Sequence, residues 1–223
     1  MILPPHCRVL ACKVLYHELR LLGVPDSQAL YLDQGLHRHP DDLSRQVALA
    51  LAQLEQDPAV ETVVLGYGYC GGGLEGLRGR RARLVAPKAH DCIPLLLGRH
   101  LPPGAGVDQG GTFYLSPGWV DFGQTPYSEY YRSLPLLGQE DALWCCQQML
   151  KAYTEVALIR HEPLFREHQR RMGLDMAGLF GLAYREIPGD LGWLQRLLAC
   201  RPSHDVLAAP PGQALRQEMF NTG

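Results

Sequence analysis

Residues 62–73, TVVLGYGYCGGG, combine a clear strand pattern with an abrupt glycine-rich break. β-Branched and apolar residues favour a buried strand, and the glycines that follow cannot continue it. Away from this stretch, short apolar runs alternate with segments of helical spacing. Strands are predicted at residues 8–12, 29–32, 60–65, 83–86, 112–115 and 205–208. This alternation is typical of an α/β fold with a mostly parallel sheet flanked by helices.

The second half of the chain has a more helical pattern than the first. Helices are predicted at residues 13–22, 39–54, 91–98, 138–171 and 190–199. We therefore predict a single α/β domain over residues 1–223. Its strand-rich sheet core lies in residues 1–125. Residues 126–223 form a mainly helical second half that adds one last strand.

Bulk properties exclude several classes of function. The 223 residues carry a net charge of −2, which gives no general attraction for nucleic acid or for anionic membranes. No run approaches the roughly 18 apolar residues of a membrane span, and the first residues make a poor signal peptide. We therefore expect a cytoplasmic protein. Because thiols stay reduced in that compartment, its seven cysteines indicate metal or redox chemistry more than disulfides.

Three cysteines fall where predicted strands end, at the last strand residue or a few residues after it. They are Cys12, Cys70 and Cys92, and His90 stands beside the third. Because the carboxyl ends of parallel strands meet at one edge of a sheet, we expect these side chains to converge. Thiolates completed by a neutral imidazole suit zinc or an iron–sulfur cluster. The alternative is that these cysteines are small buried hydrophobic residues and that His90 caps a helix.

The surroundings of the three thiols favour an anionic ligand set. Glycines after the third strand let backbone N–H groups form an anion-binding nest, and the start of a helix at Cys92 is expected to lower its thiol pKa. A three-cysteine set beside such a nest favours a bulky cluster over zinc. Asp91 and Glu18 are candidate acid–base groups, and Lys88 is a candidate positive charge beside the site.

Two further patterns are weaker. Gly66, Gly68 and Gly71 match the letters of the G-x-G-x-x-G dinucleotide fingerprint, and Asp91 follows about twenty residues later. The glycine-broken stretch after Gly71 is a poor start for the helix that this fingerprint requires. Asp33, His37 and His39 form a second polar cluster after the second strand, for which surface polarity and helix capping are the alternative explanation.

Several segments together resemble one known family. They are ACKVLYHEL, LDQGLHRHPDDL, VVLGYGYCGGGLEGL, APKAHDCIPLLLG, GTFYLSPGWVD and VLAAPPG, which are similar to the domain-of-unknown-function family numbered 1638. The resemblance falls on Cys12, Glu18, His37, Gly66, Tyr67, Gly68, Cys70, Gly71, His90, Asp91, Cys92, Gly118 and Trp119. Lys13 and Lys88 depart from the glutamate and arginine that are usual in that family.

The resemblance implies no assigned reaction. It does imply a link to accessory proteins encoded near corrinoid-dependent methyl-transfer systems of anaerobes. Three hypotheses follow for this chain. The first is a metal-binding protein that supports methyl-transfer, thiol or redox chemistry on a small-molecule substrate. The second is a non-catalytic accessory protein that binds a corrinoid or methyltransferase partner, and the third is an α/β enzyme that binds nucleotide or phosphate through the GYGYCGGG turn.

Overall fold

The computed structural model describes residues 3–99 and 111–220. Within it the chain forms two compact units, Met1–His100 with Asp190–Gly223 and Leu101–Gly189. The strands are β1 (Cys7–Cys12), β2 (Ala29–Leu32), β3 (Thr62–Gly66), β4 (Arg83–Pro87), β5 (Gly111–Leu115), β6 (Tyr153–Arg160), β7 (Ala183–Pro188) and β8 (Val206–Ala209). The α-helices are α1 (Tyr16–Leu21), α2 (Pro40–Leu54), α3 (Ile93–Leu97), α4 (Pro117–Phe122), α5 (Pro126–Leu150), α6 (Glu167–Phe180) and α7 (Gly192–Leu198).

The first unit is built on a five-stranded sheet in the order β2-β1-β3-β4-β8. The first four of these strands are parallel, and β8 runs antiparallel to β4. From β1 the chain moves outward to β2 and then crosses to β3 on the other side of β1. The pair β1 and β3 is therefore the topological switch point of the sheet, where a crevice opens at the carboxyl ends of the strands.

Helices shield this sheet because its central strands are apolar on both faces. Val63, Val64 and Leu65 of β3 are fully buried, as strands of parallel sheets require. Helix α2 presents a buried stripe of Leu43, Val47 and Leu51, as its sequence spacing predicts. The mostly parallel α/β fold predicted from the sequence is confirmed.

The second unit has its own three-stranded parallel sheet, β5-β6-β7. The predicted helix over residues 138–171 is wrong in its middle. Helix α5 ends at Leu150, and the apolar run of β6 follows, with Val156, Leu158 and Ile159 almost fully buried. A continuous apolar run of this length fits a buried strand as well as a helix, so periodicity alone could not separate them.

The predicted division of the chain after residue 125 differs from the division in the structure. Strand β5 belongs with β6 and β7, whereas α7 and β8 return to the first unit. The last strand, predicted at residues 205–208, is found as β8. None of the helices within residues 3–99 and 111–220 combines the length and apolar character of a membrane span.

Candidate functional site

The four parallel strands of the first unit each lead into one part of the candidate site. Cys12 is the last residue of β1, and Tyr67 directly follows the last residue of β3. Cys92 lies in the segment between β4 and α3, and His37 lies in the short helical turn after β2. The switch point between β1 and β3 thus places Cys12 and Tyr67 on neighbouring strands, at the edge where ligands bind in such sheets.

Backbone hydrogen bonds fasten the loop after β3 to the loop after β4. The N–H of Tyr69 donates to the carbonyl of Ala89 at 2.8 Å, and the N–H of Cys70 donates to the carbonyl of His90 at 2.7 Å. Gly68 permits this approach, because a Cβ there would lie 2.5 Å from the backbone nitrogen of Asp91. Cys70 is therefore held against the segment that ends in Cys92.

Cys70 has a backbone conformation that glycine usually occupies. Its φ is 50°, and Gly71 and Gly72 follow with φ of 66° and 100°. The left-handed region costs a residue with a Cβ about 1 kcal/mol. Strain of this kind is concentrated at functional sites, where surrounding contacts hold the residue in place.

All three predicted cysteines are buried and electrostatically coupled. Burial raises the pKa of Cys12 to about 12, and it raises the pKa values of Cys70 and Cys92 well above their ordinary range. The Cys92 pKa is raised further by the charges of Cys12, Asp91 and Cys70. Our expectation that the start of α3 lowers this pKa is therefore wrong. Desolvation outweighs the dipole of a helix that spans only Ile93–Leu97.

The hydroxyl of Tyr67 feels the charge of all three thiols. The side chain of Tyr67 is 1% exposed, and its hydroxyl is buried without a hydrogen-bond partner. Burial raises the Tyr67 pKa, and the charges of Cys12, Cys70 and Cys92 each raise it further. The three thiols therefore act electrostatically on one buried hydroxyl that has no hydrogen-bond partner.

His37 brings a second such group to Tyr67. The two rings are 6.0 Å apart between centroids, and the Nε2 atom of His37 is buried without a hydrogen-bond partner. Burial lowers the His37 pKa, which favours the neutral imidazole that metals bind. The turn that carries His37 is fixed at its start, where Asp33 Oδ1 accepts a hydrogen bond from Gly35 N–H at 2.7 Å.

The residues predicted around Cys92 are less enclosed. His90 and Asp91 are exposed, and Lys88 is half-buried. Asp91 Oδ1 accepts a hydrogen bond from Ile93 N–H at 2.8 Å at the start of α3. Desolvation by the surrounding protein raises the pKa of the Asp91 carboxyl. His90 as a fourth ligand and Lys88 as a partner charge stay predictions, and the enclosed His37 is the better imidazole candidate.

The remaining predicted residues, Glu18, Gly66 and Gly71, are explained mainly by packing and by backbone conformation. Glu18 is fully buried on α1, just after β1. A Cβ at Gly66 would lie 2.5 Å from the Cβ of Ala11, so glycine lets β3 close on β1. Gly71 lies in a short 3-10 turn over Cys70–Gly72, and no α-helix begins between it and β4, a stretch that is described throughout. The dinucleotide fingerprint lacks the helix on which it depends.

The thiols do not form a ready-made cage for a single ion. Among residues 3–99 and 111–220, no three side chains of His, Cys, Asp or Glu are placed to hold one metal ion. What the structure brings together is Tyr67, whose hydroxyl feels the charge of all three buried thiols, and the imidazole of His37, whose ring centroid lies 6.0 Å from that of Tyr67.

The family resemblance falls on both His37 and Tyr67, but neither was assigned to the site, and the residue pattern places His37 in a separate polar cluster. The available signal was position, since both residues closely follow strands whose carboxyl ends lie on the same edge as Cys12. What the sequence could not show is that β2, β1 and β3 are neighbours in that order.

Comparison with known proteins gives one match. The sequence model of the family described as Protein of unknown function (DUF1638) matches residues 31–198, which include His37, Tyr67, Cys70 and Cys92. Comparison with curated proteins and with solved structures gives no match.

Proposed function

The chain belongs to the DUF1638 family, and from that premise we propose that it binds an iron–sulfur cluster through Cys12, Cys70 and Cys92. One observation carries the proposal. Three strand ends of one parallel sheet carry buried thiols, and the charge of each thiol acts on the same buried hydroxyl, that of Tyr67. Cysteines that serve only as buried hydrophobic residues would not need to lie near the same polar group, here the hydroxyl of Tyr67.

The charges near these thiols favour a bound cation. Burial, the carboxylates of Asp33 and Asp91, and any thiolate already formed all disfavour ionisation of these thiols. Thiolates cannot accumulate in such a place without a compensating positive charge. Iron or zinc would supply that charge and would convert the thiols to ligands.

We prefer a cluster to a single ion because three cysteines beside a glycine-rich turn suit a bulky anionic group. The thiols interact through their charges but are not placed to hold one metal ion as they stand. Zinc would require them to contract to bond lengths of about 2.3 Å from one centre. A cluster distributes its irons over a larger volume, so its thiolate ligands stand farther apart.

The other residues of the site have distinct roles in this proposal. The backbone N–H of Gly68 donates to the Cys70 thiol and would help to solvate a thiolate there, and the missing side chain of Gly68 leaves room for the loop to close. His37 would offer its free Nε2 to an iron without a cysteine ligand. When bound, the cluster would supply electron transfer or hold a small substrate at that iron. Asp91 and Glu18 are the acid–base candidates.

The other hypotheses have less support. The missing helix after Gly71 removes the main feature of a nucleotide site. No contact within the described residues favours a corrinoid or methyltransferase partner over any other. A cytoplasmic location fits the proposal, because thiols stay reduced there and all seven cysteines of the chain are free thiols.

The test is cluster loading in matched variants. Wild-type protein would be purified anaerobically and reconstituted with ferrous iron and sulfide, followed by visible absorption and by iron and sulfide analysis. We expect a brown protein, and we expect loss of most of its iron in C12S, C70S and C92S. C145S is the control, because Cys145 is half-buried on α5 in the second unit. Equal loading of all four variants would refute the proposal, and stoichiometric zinc in a colourless protein would replace the cluster by a zinc site.

A further inference from the structure

A second pair of thiols lies in the first unit, apart from the candidate site. The Sγ atoms of Cys7 and Cys200 are 3.8 Å apart and buried, although 193 residues separate them in the chain. Cys7 opens β1, and Cys200 follows the end of α7. Neither residue lies in the range that the family model matches.

The backbone on both sides of this pair is fixed. The carbonyl of Cys200 accepts a hydrogen bond from the guanidinium of Arg83 on β4 at 2.8 Å. The carbonyl of Cys7 accepts from Gln28 Nε2 at 3.2 Å, and its N–H donates to Pro4 at 2.9 Å. A disulfide has an S–S distance of about 2 Å, so the two sulfurs, 3.8 Å apart, must approach by about 2 Å before the bond forms.

We propose that Cys7 and Cys200 form a reversible disulfide when the protein meets a peroxide. One thiolate attacks a peroxide oxygen, which gives a sulfenic acid and releases water or an alcohol. The second thiol then attacks the sulfenic sulfur, the S–S bond forms and water leaves. The two thiols lose two electrons and two protons, and the peroxide accepts both. A low-molecular-weight thiol restores the reduced pair through exchange.

This pair is separate from the three-cysteine site. Cys7 and Cys12 are at opposite ends of β1. At about 3.3 Å per residue, the strand holds them about 17 Å apart. Oxidation at Cys7 therefore does not require the cysteines at the carboxyl end of the sheet, and the proposal stands without the proposed function.

The pair reacts slowly in the resting protein and rapidly after local opening. Burial raises the pKa of both thiols, to about 12 for Cys200, so few thiolates exist near neutral pH. Cys200 adjoins the exposed segment 201–204, whose displacement would uncover its sulfur. The disulfide would join the first strand of the unit to the end of its last helix, and this closes a long loop of chain.

The experiment is mass mapping of the full chain after mild oxidation. Reduced protein would be treated with a small excess of hydrogen peroxide, blocked with iodoacetamide and digested without reductant. We expect a peptide that links Cys7 to Cys200, about 2 Da lighter than the sum of its two thiol peptides, and its disappearance after dithiothreitol. We also expect the melting temperature to rise by roughly 5–10 °C on oxidation.

Variants distinguish this pair from the other cysteines. C7S and C200S should each abolish the linked peptide and the rise in melting temperature, whereas C145S should keep both. Recovery of Cys7 and Cys200 as alkylated thiols after oxidation of the wild type, or as sulfinic acids without a link, would overturn the proposal. A rise in melting temperature that persists in C7S would overturn it as well.

Discussion

The backbone N–H of Cys70 donates a 2.7 Å hydrogen bond to the carbonyl oxygen of His90. Two residues later the chain reaches Cys92, so this bond joins two of the three cysteine positions through the backbone. A parallel arrangement of β3 and β4 makes the bond possible, because both strands end at the same edge. The positions of Cys70 and Cys92 thus depend on this contact between two loops. A substitution that adds side-chain atoms where the loops approach each other would disturb it.

Gly68→Ala should open this loop contact. The added Cβ would lie 2.5 to 2.7 Å from the backbone of Asp91, which cannot move aside as a flexible side chain could. We expect a loss of at least about 2 kcal/mol of unfolding free energy, with reduced cluster loading. Urea denaturation and iron analysis measure the two effects.

Gly178→Ala is the matched control for that change. A Cβ at Gly178 meets no atom within 4 Å, and the residue lies inside α6. Alanine is favoured over glycine in a helix interior by about 0.5–1 kcal/mol, so stability should hold or rise. If G68A proved as stable as G178A and loaded iron fully, the close approach of the two loops would not matter for the site.

Two substitutions at Cys70 should separate strain from ligation. C70G and C70A both remove the thiol, and both should lose cluster iron. Because the φ of Cys70 is 50°, glycine should make the metal-free protein more stable than alanine does, by about 1 kcal/mol. Thermal unfolding of the two variants in chelator gives the comparison, and equal stability would mean that the backbone relaxes at this position.

His37 and His90 should respond differently to replacement. His37 has its Nε2 atom buried beside Tyr67, whereas His90 is exposed. H37Q should therefore change the visible spectrum or the iron content of reconstituted protein, and H90Q should leave both close to wild type. The reverse pattern would return the fourth-ligand role to His90.

Acid stability of the second unit should depend on Glu186. Hydrogen bonds from Arg170, with others from Arg160 and Tyr184, lower the Glu186 pKa to about 2 from an ordinary 4.5. The stabilisation is complete above pH 4.5 and is lost as the pH falls toward 2, because over that range the unfolded state binds a proton at Glu186 that the folded state does not.

The test compares E186Q with a matched neighbour. E186Q should lower unfolding free energy at pH 6 by about 1–2 kcal/mol and should flatten the loss between pH 4.5 and 2. E167Q should change stability by less than about 0.5 kcal/mol, because Glu167 pairs with Arg170 from an exposed position. Denaturant unfolding at several pH values measures the unfolding free energy of each variant. If wild type and E186Q lost stability equally between pH 4.5 and 2, Glu186 would not be the source of the acid sensitivity.

The sequence predicted the first sheet well because each of its strands has a distinct apolar run bounded by glycine, proline or polar residues. It failed at β6, where the apolar run directly follows the long helix α5, with no glycine or proline at the boundary. The pairing of β5 with β6 depends on contacts between distant residues, which local patterns do not contain.

The candidate site was predicted in part for the same reason. Cys12, Cys70 and Cys92 could be recognised because each lies at the end of a strand or a few residues after it, and parallel strands share one edge. The raised thiol pKa values depend on burial, which sequence position does not give. The proximity of Cys7 to Cys200 also escaped prediction, because it depends on β8 and α7 returning to the first unit.

Native mass spectrometry of freshly purified, strictly anaerobic wild-type protein tests the central claim most directly. We predict a mass excess equal to one iron–sulfur cluster per chain, which disappears in C92S. The mass of the bare polypeptide, after both anaerobic purification and reconstitution with iron and sulfide, would contradict a cluster at Cys12, Cys70 and Cys92.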